Sequence, residues 1–427
     1  MCFPIVCCAA QYRRFGSRPV RRMRMEREKE LSMTQLMALI WLADLAPAAQ
    51  LLRTSAEVGG AGGWLSPLLA LPVLAALGGL MGWAAGREGL AEKLRRGLGP
   101  VLGRGVLFLY IGWAALLAGR RLGQCALRLS EGGSRDGSAW FFLGVMALTA
   151  LWMVRGSLAA LGRTAQILLA ILAAAGGVVL LLALLRMDWT RLVPAEGWPG
   201  RAIPVALSAA QALAPGLYGA FLLNKTDLRR GGSTFLWWSA GGCLMLTAAQ
   251  GIVQGCLGAA LSARLDSPFF TITQSVGVEG AFQRVESVIH TLWTGADLAL
   301  TALLIAAAGE LGGRPPRISP ASARMGAAAA AAVLAPLLAA AEGARGVRLW
   351  PVTLILSALP GLLTLIFDRR RGKTEDIVPA EKGVKKRKKP KKELTTRGGS
   401  AKISKRLSEG KPCGRREKPH KGADVGG

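Results

Sequence analysis

Residues 282–300 read FQRVESVIHTLWTGADLAL and place ionisable groups inside an apolar run that continues to Ala308. Glu286, His290, Trp293 and Asp297 are spaced i, i+4, i+7, i+11, which is one face of a helix. A charge at bilayer depth is costly, so this face must turn toward protein or water. Asp297 can accept hydrogen bonds, hold a cation or carry a proton, and Thr294, one turn earlier, adds a hydroxyl. Asp297, with Thr294 beside it, has the strongest functional claim on this face. His290 reads first as a packing histidine. Arg284 and Glu286 read first as a solvated helix start, where an acid suits the helix dipole.

Two further stretches carry chemistry in their backbone. The first apolar run contains ADLAPAAQ, with Asp44 and Pro47 near its middle. The sixth contains ALAPGLYGAF, with Pro215, Gly216 and Gly219 near its middle. Proline removes a backbone donor and clashes with the preceding turn, and glycine loosens the backbone. Both runs are candidates for interrupted helices; ordinary proline kinks are the other reading. Freed amides at a half-helix start can hold a carboxylate, and freed carbonyls can face an ammonium group. An amino acid carries both.

These residues need elements to hold them. Hydrophobic residues make up 51% of the 427 residues, and apolar runs of about 20 residues, a bilayer core's thickness, recur along the chain. The class is an all-α polytopic membrane protein. Ten spans are expected, at about 34–52, 64–85, 104–125, 139–155, 164–186, 202–223, 234–261, 284–309, 324–341 and 349–367. The two broken runs open two successive sets of five, which points to a five-plus-five inverted repeat with helices 1 and 6 interrupted.

The formal net charge of +28 is concentrated in the tails. Residues 1–32 form a basic extension whose apolar start precedes its charges, the reverse of a signal peptide. A start codon placed too early is the plainest reading, with Met23, Met25 and Met33 as alternatives. Residues 33–367 form the ten-helix body. Residues 368–427 are rich in Lys, Arg, Gly and Pro and read as a disordered basic tail. Its KKRKKPKK looks like a nucleic-acid patch, yet beside a last span it suits anionic lipid better, at about 1 kcal/mol per basic residue. No nucleic-acid partner is expected.

An even span count puts both termini on one side. RRMRMEREK and RRRGK flank the first and last spans, so both are expected in the cytoplasm. REGLAEKLRRG and NKTDLRRGG then fall inside. GRRLGQCALRLSEGGSRDG falls outside and is also basic, against the rule. The seven cysteines form no C-x-x-C pair near a histidine, so no metal and no cofactor is expected. The only histidines are His290 and His420, too few for an acid–histidine cluster at one membrane face. An enzyme is not expected.

The body, from about Met33 to Phe367, resembles the spore germination permease family, the membrane B-subunits of nutrient germinant receptors, within the amino acid–polyamine–organocation superfamily. The resemblance rests on MTQLMALIWLADLAPAAQLL, on GGAGGWLSPLLALPV with Trp64 opening the second span, and on FQRVESVIHTLWTGADLAL with Arg284, Glu286 and Trp293. It implies a germinant such as an amino acid, bound by Asp44, Leu45, Ala46, Pro47 and Ala48 with Ala214, Pro215, Gly216, Leu217, Tyr218 and Gly219. It also implies that Thr294 and Asp297 face the first span's break, where related transporters place a coupling cation. The implied partners are an A-type membrane subunit and a C-type lipoprotein, and the implied location is the inner spore membrane. The chain departs from the family in lacking a glycine-rich break in the first span and an acid in the sixth. A cation-coupled amino acid transporter is the alternative on the same fold.

Overall fold

The computed structural model describes residues 31–86, 88–132, 138–194, 197–226, 231–275, 285–313, 319–344 and 350–375. The N-terminal extension up to residue 30, Arg284 and the tail beyond residue 375 lie outside the described residues.

The first helix, α1 (Met33–Gly59), begins at a capping box. The Ser32 hydroxyl accepts the Gln35 amide at 3.2 Å, and the Ser32 amide donates to the Gln35 side chain at 3.0 Å. The short polar start of the sequence is thus the cap of the first span. A 3-10 turn (Gly60–Leu65) leads into α2 (Ser66–Ala85). Helix α3 (Leu90–Leu98) is short and amphipathic, burying Leu90, Ala91 and Leu94 beneath Glu92, Arg95 and Arg96. The next helices are α4 (Leu102–Gly132), α5 (Ala139–Arg155) and α6 (Leu158–Leu184).

Helix α7 (Trp198–Leu213) passes into a 3-10 stretch (Ala214–Lys225). Then come α8 (Gly231–Leu257), the short α9 (Ala259–Arg264) and α10 (Pro268–Ser275), and α11 (Val285–Gly312). Helices α12 (Pro320–Ala344) and α13 (Trp350–Glu375) complete the described chain.

Among the described residues, seven helical stretches are long and apolar enough to cross a membrane. The first of them, Met33–Ala85, holds both α1 and α2. The shorter apolar helices Ala139–Arg155 and Val352–Phe367 supply the fourth and tenth members of the set. The ten expected spans are therefore α1, α2, α4, α5, α6, α7 with its 3-10 stretch, α8, α11, α12 and α13. The protein is a multi-pass helical membrane protein.

The packing repeats after five spans. The first span packs on the fifth, and the sixth on the tenth; the second packs on the tenth, and the fifth on the seventh. The third packs on the ninth, and the fourth on the eighth. The connecting helices obey the same rule. Helix α3 touches spans two, three, six and ten, and α10 touches spans seven, eight, one and five. Each of these contacts has a partner five spans on, the pattern of an inverted repeat, while the first–eighth contact has no such counterpart of similar size.

The two expected interruptions differ. In the sixth span, Pro215 donates no backbone hydrogen bond, and the chain tightens into twelve residues of 3-10 helix. In the first span, Pro47 sits within an unbroken α-helix. The interruption read there from sequence is absent: a membrane helix tolerates a proline that removes one backbone hydrogen bond, and the helix runs on past it. The Ala46 carbonyl accepts a hydrogen bond from Arg121 on the third span. A second correction concerns the third span, which runs to Gly132 instead of ending near residue 125. The basic stretch expected as an outer loop is largely helix.

Apolar side chains gain little by leaving lipid for protein, so helices in a membrane associate through close packing and polar ties. The third span shows the first device. A Cβ on Gly119 would meet the Ala331 carbonyl at 2.7 Å, and one on Gly123 would meet the Ala335 carbonyl at 2.8 Å. The run of alanines in the ninth span lets the two backbones approach this closely. We expect Gly123→Leu to cost about 1–3 kcal/mol through overpacking and to lower the melting temperature in detergent. Gly112→Ala, which meets open space within the same helix, should not lower it.

Candidate functional site

A cavity of about 730 Å³ opens among the first, third, sixth, eighth and tenth spans. Pro47 and Pro215 both line it, so the two prolines mark one chamber. Its polar lining comes from Gln50, Thr54 and Glu57 of the first span, Arg120, Arg121 and Gln124 of the third, and Ser208 and Gln211 of the sixth. Leu300 and Leu304 of the eighth span and Leu207 of the sixth give it an apolar part. Apolar walls with a few convergent polar groups suit a small organic solute.

Beside the chamber lies a buried ion cluster. Asp297 on the eighth span is 1% exposed. Arg121 Nε donates to Asp297 Oδ1 at 2.6 Å, and Arg121 Nη1 donates to Gln124 at 3.1 Å. The same guanidinium reaches the Ala46 carbonyl of the first span. Arg128, two turns further along the third span, pairs with Asp297 Oδ2. Its guanidinium carbon lies 5.7 Å from the centroid of the Phe270 ring of α10.

Two cations thus face one carboxylate, and Arg121 alone joins three spans. Thr294, the other half of the candidate coupling site, donates its hydroxyl to the His290 carbonyl at 2.9 Å. The place read as a cation site has its carboxylate and its first-span carbonyl, but guanidinium groups hold both.

The candidate ligand residues divide between two seams. Pro47 and Pro215 line the large chamber. Asp44 and Leu45 line a separate cavity of about 20 Å³ against the second and seventh spans. Ala46, Ala214, Leu217 and Gly219 are packed in the protein interior, and Ala48 is buried. A Cβ on Gly219 would strike Ile40, and one on Gly216 would fall on the Asp44 carboxylate. The two glycines let the first and sixth spans touch. Tyr218 is 3% exposed, its ring 5.6 Å from Phe221, and its hydroxyl meets no partner. It belongs to the interior instead of the chamber wall.

The motif residues take structural places. The Trp64 indole donates to the Leu192 carbonyl at 3.1 Å, tying the turn after the first span to the segment after the fifth. Trp293 is buried with its ring 4.9 Å from Phe269. His290 stacks on Phe270 at 4.0 Å, as a packing histidine does. Glu286 lies in the first turn of α11.

Sequence reading missed Arg121 and Arg128. The signal is their spacing of seven residues, two helical turns, in a stretch beside an apolar run. A span boundary drawn three residues before Arg128 hid it.

The sequence matches no protein-family model and no curated protein. The fold is similar to that of MhsT in a crystal structure with L-phenylalanine. The two share 15% identity at a TM-score of 0.55, over 79% of this chain and 89% of that one. It is also similar to a Na+-coupled sialic acid symporter in a substrate-bound, outward-open state. Here the identity is 11% and the TM-score 0.51, over 78% of each chain. At these identities the likeness is one of fold, and that fold is a polytopic transporter fold.

The ion cluster gives a stability prediction. Asp297→Ala leaves two guanidinium groups buried without their anion and should cost about 3–5 kcal/mol, read as a lower melting temperature in detergent. The double variant Asp297→Ala with Arg128→Met should recover part of the loss.

Proposed function

We propose that this protein binds a small solute, such as an amino acid, in the chamber between the first, third, sixth, eighth and tenth spans. The observation that carries the reading is the chamber itself: a mixed polar and apolar cavity lined by Pro47 of one half and Pro215 of the other. The likeness in fold to a protein crystallised with L-phenylalanine supports it. Bound there, a carboxylate meets the arginine-bearing wall of the third span, and an ammonium group meets Glu57 or the amide oxygens of Gln50 and Gln211.

Within this reading we favour a sensor. The sequence resemblance points to the membrane B-subunit of a nutrient germinant receptor, working with an A-type membrane subunit and a C-type lipoprotein in the inner spore membrane. The Arg121–Asp297–Arg128 cluster supports it, because guanidinium groups stand where a free coupling cation needs ligands. The second reading is a cation-coupled amino acid transporter, favoured by the likeness to a Na+-coupled symporter.

Both termini are assigned to the cytoplasm. The length of the third span supports this, since Arg121 and Arg128 lie in the protein interior and no longer count as outer-loop charges. The chamber, bordered by Thr54 and Glu57 near the end of the first span, then faces away from the cytoplasm. The basic tail is assigned to anionic lipid at the cytoplasmic surface.

The test is a thermal-shift screen of the purified full chain against amino acids, with and without sodium, followed by uptake of the hit into proteoliposomes. We expect stabilisation of equal size in both salts and no accumulation against a gradient. Ser208→Trp, which fills the chamber, should abolish the shift while the unliganded melting temperature stays within a few degrees. Sodium-dependent accumulation establishes the transporter instead, and a shift that survives Ser208→Trp moves the ligand out of this chamber.

A further inference from the structure

Asp44 has surroundings opposite to those of Asp297. It lies midway along the first span, at the seam with the second, sixth and seventh spans. Its Oδ1 occupies the space a Cβ on Gly216 would need. Among the described residues no Lys, Arg or His pairs with it.

The groups that face it can be named element by element. The second span offers Leu74, and the sixth offers Leu213 and the backbone at Gly216. The seventh offers the Trp238 indole, the Ser239 hydroxyl and the Cys243 thiol, and its own span offers Trp41 and Leu45. Cys243 is the one titratable neighbour among them. Trp238 lies beside the carboxyl and offers it an indole N–H, a neutral donor that brings no counter-charge. The adjoining cavity of about 20 Å³ has room for about one water.

A carboxylate in such a place is half-buried at mid-span and has no counter-ion among the described residues. Holding that charge unpaired at membrane depth costs more than taking up a proton, and a neutral carboxyl fits the seam. We propose that Asp44 is a proton-binding site of this protein, carrying its proton while the first and sixth spans are packed together and releasing it when the seam opens to water. The balance is simple: one O–H bond of the carboxyl breaks, and the proton passes to water entering from the open side.

The reacting ion is a proton because the cavity is too small and too poor in oxygen ligands for a metal ion. Glycine at position 216 is part of the device, since it lets the carboxyl close against the sixth span's backbone. The inference holds whether the protein senses or transports, and it needs no identified solute.

The experiment is infrared difference spectroscopy of the purified full chain at neutral pH, wild type minus Asp44→Asn. We expect a protonated-carboxyl carbonyl band present in the wild type and lost in the variant. Loss of carboxylate bands instead, with no change in the protonated-carboxyl region, overturns the proposal. Asp44→Glu covers the case in which the Asn variant does not fold: its band should shift in frequency, and an unshifted band overturns the assignment to this residue. The spectrum is taken without solute, so its outcome is separate from the screen that tests solute binding.

Discussion

An ionised group inside a membrane protein must bring its counter-ion with it, and here the counter-ion arrives on a different helix. Asp297 belongs to the eighth span, while both of its partners belong to the third. Arg121 also holds the Ala46 carbonyl of the first span. One guanidinium therefore sets the register of three spans. A sliding motion of any of them breaks charge-assisted hydrogen bonds in a medium without water to replace them. Spans one, three and eight form a fixed frame on this account.

The rest of the packing follows from how helices associate where burial in lipid gains nothing. Gly119 and Gly123 bring the third span against the alanine-rich ninth, and Gly216 and Gly219 bring the sixth against the first. Polar ties close the remaining seams. Ser55 and Ser66 are 2.8 Å apart, and Ser66 donates to Gln250 at 3.1 Å. Gln254 donates to the Ala61 carbonyl at 2.6 Å. These join the first, second and seventh spans at the same end of the bundle. The sixth span has few such ties along its 3-10 stretch and is held against the first by glycine contacts. It is the span best placed to move against the frame.

How much of this the sequence shows depends on what kind of signal is involved. The ten spans are legible because each needs about twenty apolar residues, and the two prolines that face one chamber are legible because they fall at matching places. The state of the backbone at each proline is not. Pro47 and Pro215 look alike in sequence, yet Pro215 is followed by glycines that accept a 3-10 path, whereas Pro47 sits among alanines and beside Arg121. Asp297 was legible as a charge that needs a partner, but the partner was not. Arg128 lies beyond the apolar part of its helix, so hydropathy assigned it to a loop. The placement of Asp44 away from the chamber was likewise hidden, because a helix period places a residue on a face without saying which neighbour that face meets.

The two intramembrane acids show how one physical requirement admits two solutions. Asp297 keeps its charge by surrounding it with guanidinium groups, and so gains rigidity. Asp44 has no such partner and stands at the contact between the first span and the sixth, where glycine keeps the backbones close. A group that is neutral in a dry seam and charged in a wet one responds to whether that seam is open. A group locked between two cations does not respond. The sequence contains the same residue type in both places. The difference in role arises from which neighbouring helix carries arginine and which carries glycine.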